Sequence, residues 1–447
     1  MALHNRFRAL LAVATLVAAV LTGGMVSGRQ SAHAQLPPID LPGTGQQQPP
    51  PQQPPQQQPS APPVPTLPDT SKLAHSWALR DCKPQAQTSS YGMPGVDPRG
   101  VDPHSTNPLE SLTFFVDPTE PAWLKYKSFK HRGMRHDADL MWKIASTPRA
   151  RWFGKFTRPH MKKKIREYFK CVQAVQPGSV PIMTVLRAQA KKCNPKKYTG
   201  GGRREDAATR KWYRQFADAV GTHRVVLLFE PDSLGTLDCQ KKSRRMARLK
   251  LLAYGVKQLA KLPNATVYLE GGASDWESAR RTARQLRIIG IRRVRGFMLN
   301  VTHYDWTSNN IRHGMQISRL TGGKHFVIST AFNGRGPVHF RKWISHSRHI
   351  WRTVNVWCHP LRRGLGPMPT TTTHYSKVDA FLWIGRPGYS AGACNGGPLP
   401  VGTFWPARAL MYASYATEWL RPPQGTRNGL FARYSARQLG YCGNRCT

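Results

Sequence analysis

Acidic residues are scarce in this 447-residue chain: 23 Asp and Glu stand against 66 Lys and Arg, for a formal charge of +43. Long apolar runs are scarce as well. No stretch reaches the roughly 20 apolar residues of a membrane-spanning helix; the nearest, Ala9–Leu21, has 13. There is no Cys-x-x-Cys pair and no Cys/His zinc spacing, and Gly200-Gly201-Gly202 sits among polar residues with no phosphate-loop context. No nucleic-acid motif accompanies the charge. The expectation is a protein without metal or cofactor and without a specific nucleic-acid partner. Aromatic residues, by contrast, are plentiful: 13 Trp, 14 Tyr and 16 Phe within a 40% hydrophobic composition supply a large core and exclude wholesale disorder. The length allows one large α/β barrel-type domain or two ordinary domains.

Residues 1–34 have the three parts of a secretory signal: Arg6 and Arg8, the apolar Ala9–Leu21, and the small-x-small site Ala32-His33-Ala34. Cleavage would leave Gln35 first and no transmembrane anchor; the alternative is an uncleaved N-terminal anchor. Residues 35–70 are Pro/Gln-rich and nearly uncharged, which reads as an extended linker leading to a domain over 71–447. The eight cysteines (Cys82, Cys171, Cys193, Cys239, Cys358, Cys394, Cys442 and Cys446) are even in number and suit an oxidising compartment, with pairing left open. The expected location is extracellular, in or near a cell wall, and the expected state a monomer. Residues 1–70 carry three Lys and Arg and two Asp and Glu, so +42 belongs to the folded part. Such a field attracts polyanions, or else it is a solvated basic surface.

Seven short β-rich runs alternate with helical patterns: Leu112–Val116, Pro181–Leu186, Arg224–Phe229, Thr266–Glu270, Gly296–Val301, His325–Thr330 and Asp379–Ile384. Between them, Met246, Leu249, Ala253, Val256 and Ala260 step by three and four, as do Trp276, Ala279, Ala283 and Leu286, each set forming one apolar helix face. Parallel strands with helical crossovers follow, a sheet covered on both faces that often closes into a barrel. Chemistry in a barrel belongs at the C-terminal ends of strands. Glu230-Pro231-Asp232, Glu270-Gly271-Gly272, Asn300 to Trp306 and Asn333-Gly334 gather there. Carboxylates move protons and aromatic faces stack on sugar rings, so the pattern suits carbohydrate chemistry.

The strings Leu228-Phe229-Glu230-Pro231-Asp232-Ser233-Leu234, Gly296-Phe297-Met298-Leu299-Asn300-Val301, Trp357-Cys358 with Gly364-Leu365-Gly366-Pro367-Met368-Pro369-Thr370, Asp379-Ala380-Phe381-Leu382-Trp383 and Gly402-Thr403-Phe404-Trp405-Pro406 occur in one order. From about Asn107 to Leu420 the chain resembles glycoside hydrolase family 6, the inverting cellulases and cellobiohydrolases. The resemblance implies a distorted, seven-stranded, TIM-like β/α barrel with a substrate cleft or tunnel, and bridges Cys193–Cys239 and Cys358–Cys394. It also implies a polysaccharide substrate and Asp232 as the general acid.

Several positions depart from the family pattern. Its Arg-Asp-Cys string reads Lys191-Lys192-Cys193, its strand Tyr is Leu186, and its Asp-Ala-Gly-His is Glu270-Gly271-Gly272-Ala273. In the last strand region Lys becomes Gly385, Glu becomes Tyr389 and the proposed base Asp becomes Ala391. Glu270, Asp275 and Asp305 are the conceivable replacement bases. Phe115, Trp276, Trp357 and Trp383 are candidate sugar platforms or else core residues; Glu270, Asn300, His303, Tyr304 and Asn333 are candidate sugar-binding groups. Two expectations result: a secreted 1,4-β-glucanase using Asp232, or a catalytically impaired relative that binds an anionic polysaccharide in a cationic cleft.

Overall fold

The computed structural model describes residues 107–110, 112–157, 159–188, 203–345, 350–356 and 358–424. The expected signal peptide, the linker, Lys191, Lys192, Cys193 and Trp357 lie outside the described residues, as do Cys82, Cys442 and Cys446. In chain order the elements are α1 (Pro121–His131), α2 (Arg135–Ala145), β1 (Arg151–Gly154), α3 (Met161–Val175), β2 (Ile182–Leu186), α4 (Arg203–Val220), β3 (Val225–Phe229), α5 (Lys242–Leu259) and β4 (Ala265–Glu270). They continue as α6 (Ala279–Ile289), β5 (Gly296–Leu299), α7 (Thr307–Leu320), β6 (His325–Ser329), β7 (His339–Ser345), β8 (Ile350–Asn355), β9 (Val378–Leu382) and α8 (Pro406–Ser414).

Seven strands form one parallel sheet in the order β1-β2-β3-β4-β5-β6-β9, while β7 and β8 make a separate antiparallel hairpin. The main sheet curls until its edges meet: Arg149 and Trp383 form a parallel bridge, and the Ala150 N–H donates to the Trp383 carbonyl at 2.9 Å. This is the distorted β/α barrel the sequence predicts. Strand alternation builds its two cores. On β3, Val225, Leu227 and Phe229 face the helices, whereas Val226 and Leu228 join Ile182, Tyr268, Met298, Val327 and Leu382 inside the barrel. A third cluster unites α1, α2 and α8 through Trp123, Met141, Ile144 and Tyr412.

Some elements fall elsewhere than expected. Leu112–Val116 contributes only a single bridge, Phe114 to Val180, and the first strand is the four-residue, Arg-led β1. On α5 the buried stripe runs through Leu249, Leu252, Val256 and Leu259, leaving Met246 exposed in the first turn. Trp276 precedes α6 rather than belonging to it; the helix is capped by Ser278, whose hydroxyl accepts from the Arg281 N–H. The hairpin β7–β8 has no counterpart in the sequence reading.

Interior charge concentrates where β5, β6 and β9 begin. The Arg295 guanidinium makes two 2.8 Å bonds to Asp379, whose carboxylate also meets Tyr268 OH at 2.6 Å and His325 Nδ1 at 2.8 Å. Burial opposes ionisation of Asp379, but these partners outweigh it and hold its pKa below the ordinary value.

Candidate active site

The parallel strands release their C-terminal ends to one side, and the loops there carry the acidic groups. After β3 the backbone turns through two left-handed residues, Glu230 (φ 56°) and Asp232 (φ 65°). That turn sends the two side chains to different environments. Glu230 is fully buried and accepts hydrogen bonds from the backbone N–H groups of Arg187 (2.7 Å) and Ala188 (2.8 Å) and from Tyr213 OH (2.7 Å). It pins the end of β2 to β3. Burial raises its pKa against those donors and the Arg248 charge.

Asp232 is half-buried, and Thr302 Oγ1 donates to its Oδ1 at 2.6 Å. Its neighbour Glu270, at the end of β4, is 2% exposed. Burial first, then the charge of Asp232, push the Glu270 carboxyl well above the usual range, although the N–H groups of Gly272 and Asp232 pull the other way. Burial and a neighbouring carboxylate thus both disfavour charge on Glu270.

A second array follows β5. His303 Nδ1 meets Asp275 Oδ1 at 2.7 Å, and the imidazole stacks on Trp276 with centroids 4.7 Å apart. Burial would lower the His303 pKa, but the hydrogen bond and charge of Asp275, together with Asp232 and Asp305, raise it above the ordinary value. Asp305 is committed elsewhere. Its carboxylate accepts from Ser274 Oγ (2.5 Å), Asn309 Nδ2 (2.9 Å) and the Trp306 N–H (2.8 Å). Burial and Asp275 still raise its pKa.

The other candidate residues separate by exposure. Asp275, Trp276, Thr302 and His303 are half-buried around Asp232. Asn300 and Asn333 are each 1% exposed, and their amides both donate to the Asp305 carbonyl, so they hold the loop after β5. Tyr304 is buried, with its hydroxyl on Tyr412. Phe115 packs edge-on against Tyr168 in the helix-facing core, and Trp383, with no exposed surface, donates its indole N–H to the Pro367 carbonyl. The sequence reading passed over Thr302, Glu230 as a clamp, and Phe332. A polar residue just past a strand end is the only signal that could have marked Thr302.

The departures from the family pattern are structurally accommodated. At Gly385 a Cβ would lie 2.4 Å from the Phe332 ring, so an aromatic side chain occupies the space beside it. Tyr389 donates its hydroxyl to Glu120 and lies under the Arg386 guanidinium, 4.4 Å from the ring centre. Ala391 offers only its backbone N–H, which donates to His359 Nε2 at 2.9 Å. Burial, then the Arg408 charge, lower that imidazole's pKa to about 4 and keep it neutral. Nearby, Cys358 and Cys394 are disulfide-bonded, as the resemblance implies. Cys171 and Cys239 are also disulfide-bonded, while Cys193, the implied partner of Cys239, lies outside the described residues.

The sequence profile described as glycosyl hydrolases family 6 matches residues 109–414. Endoglucanase A of Cellulomonas fimi is 33% identical over 311 residues, covering 69% of this chain and 62% of that protein. The chain thus spans about three-fifths of that relative's length. Endoglucanase 1 of a Streptomyces species is 31% identical over 298 residues, 65% of this chain and 75% of its own. Among solved structures, the endoglucanase Cel6 from Mycobacterium tuberculosis, in complex with a methyl-cellobiosyl-4-deoxy-4-thio-β-D-cellobioside, superposes with a TM-score of 0.60 at 32% identity, covering 69% of this chain and 99% of that one. Endoglucanase Cel6B from Humicola insolens shares the fold alone, at 19% identity and a TM-score of 0.55. The chain belongs to glycosyl hydrolase family 6.

Proposed function

We propose that this protein is a secreted glycoside hydrolase that cleaves 1,4-β-glucan with inversion, using Asp232 as general acid. The observation that carries this is the half-buried Asp232 carboxylate at the end of β3, hydrogen-bonded by Thr302 and grouped with Asp275, His303 and Trp276. Inversion needs an acid to protonate the leaving oxygen and a second carboxylate to activate water. Of the three replacement bases, burial disfavours the charged form of Glu270, and Asp305 is bound by three donors. In this reading Asp275, paired with His303 beside Asp232, is the base. Export through residues 1–34, release at Gln35 and action as a monomer outside the cell complete the reading. Among the described residues no helix is long and apolar enough to cross a membrane.

The test is reducing-end release from a panel of neutral and anionic polysaccharides across pH. Asp232→Asn is expected to lower turnover by roughly 10²–10⁴-fold with little change in glycan affinity, and Asp275→Asn to do the same. Unchanged turnover in Asp232→Asn would sink the assignment of the acid.

A second reading rests on Ala391 and on Phe332 beside Gly385: the usual base and lysine positions carry no functional group. On that reading the cleft binds an anionic glycan without cleaving it, through Lys191 and Lys192. No turnover across the panel, with binding lost on Lys191→Ala/Lys192→Ala, is its signature.

A further inference from the structure

Among the described residues a large share of the excess cation lies on the outer helical layer, whereas the titratable groups around Asp232 are Glu270, Asp275, His303 and Asp305. Helices α3, α4, α5 and α6 pack successively side by side on the outside of the sheet. Together they carry twenty Lys and Arg against four Asp and Glu, and α5 and α6 contain no acidic residue at all. Arg166, Lys170, Lys250, Lys257, Arg280 and Arg284 are exposed and make no ion pair among the described residues.

The charge is also placed against local helix stability. Lys162 to Lys164, Lys242 with Arg244 and Arg245, and Arg280 with Arg281 open α3, α5 and α6, and none of these first turns holds an acid. Cations at a helix N-terminus oppose the macrodipole and weaken the helix. Stability therefore does not account for them. At the start of α3 they surround a cavity of about 590 Å³ lined by His160, Lys162, Lys163, Arg166, Lys170 and Gln215, with Glu167 the one acid.

We infer that the outer face of α3 to α6 is a docking surface for an anionic polysaccharide, separate from the cleft at Asp232. The rest of the surface chemistry selects this partner. Among the described residues no aromatic side chain is exposed on these helices; Tyr254, half-buried, lies beneath Arg210. Nucleic-acid bases find no stacking platform. Among the described residues, the large exposed apolar side chains there, Met246 and Ile288, form no row that could enter a lipid surface. What remains is recognition of repeated carboxylate or phosphate groups by charge, with the α3 cavity as a foothold for one anionic unit. A hydrolase held this way would stay in an anionic matrix while the cleft works on a neutral glucan strand.

The test is binding of the full chain to polygalacturonate at rising salt, with single-stranded oligothymidylate and phosphatidylglycerol vesicles as rival ligands. Arg166→Glu/Lys170→Glu/Arg280→Glu/Arg284→Glu is expected to weaken polygalacturonate binding by roughly tenfold or more and to flatten its salt dependence. Hydrolysis or binding of neutral glucan in the cleft stays unchanged, so failure here is distinct from failure of the proposed function. Lys130→Glu/Arg132→Glu/Arg135→Glu/Lys143→Glu on α1, α2 and the turn between them applies the same charge change elsewhere and is expected to have a much smaller effect. Should the first variant misfold, Arg280→Gln/Arg284→Gln replaces it, with a smaller loss expected. Equal losses from the two surfaces would overturn the inference, since net charge alone would then explain binding. Tighter capture of oligothymidylate or vesicles than of polygalacturonate at matched charge would overturn the choice of partner.

Discussion

At Glu270, full burial first and then the charge of Asp232 favour the protonated carboxyl. Its folded pKa lies above the ordinary 4.5, so the folded state holds a proton that the unfolded chain releases. The sign follows directly: stability from this group is complete below pH 4.5 and declines as pH rises through the folded pKa. Glu270→Gln removes the titrating proton and keeps the shape. It is expected to flatten the fall in melting temperature above about pH 4.5, measured by thermal unfolding across pH. A decline as steep as in the unsubstituted protein would mean Glu270 is ionised when folded. At this scale the sequence was legible in part. Asp232 stands in an unmistakable string, but Asn300 and Asn333 look like sugar ligands until their amides are seen on the Asp305 carbonyl. Burial is a property of the assembled fold, and a strand-end asparagine reads the same whether it faces a ligand or a backbone.

Elements were legible wherever packing and local pattern agree. Strands β2 to β6 and β9 lie within two residues of the apolar runs that announce them. Strand β1 escaped notice because Arg151 and Trp152 are only half-buried and the strand is four residues long. On α5 the apolar face through Leu249, Ala253, Val256 and Ala260 packs on the core, and only Met246, in the solvent-facing first turn, falls outside it. Gly255 marks the inner face. A Cβ there would sit 2.6 Å from the Phe229 ring and 2.9 Å from Tyr213, whose hydroxyl holds Glu230. In an isolated helix Gly255→Ala would add about 1 kcal/mol of stability. Here overpacking is expected to reverse the sign and cost roughly 1–3 kcal/mol, measured by denaturant unfolding. Turnover should fall too, because the shift reaches the Glu230 clamp. A gain in stability would show that the aromatic pair yields without strain.

At the scale of the whole molecule, the Arg295–Asp379–His325 cluster ties stability to acid pH. Asp379 has a folded pKa below 3.8, so its contribution is fully present above that value and is lost as pH falls through the folded one. Asp379→Asn leaves Arg295 buried without its charge partner, and is expected to cost roughly 3–5 kcal/mol at neutral pH while reducing the loss of stability in acid. Chemical unfolding at neutral and acidic pH would check both, and an equal cost at the two would sink the account. The total charge was plain from composition, but its distribution was not: only the order of the helices around the sheet shows that the cationic stretches of α3 to α6 share one face. The same cluster has a historical consequence. It lies where strands begin, while Asp232, Asp275 and His303 follow strands that have ended, so the groups that tie β4, β5, β6 and β9 together are not those arranged around the cleft. A lineage could then change its reactive rim one residue at a time and still inherit a barrel that folds.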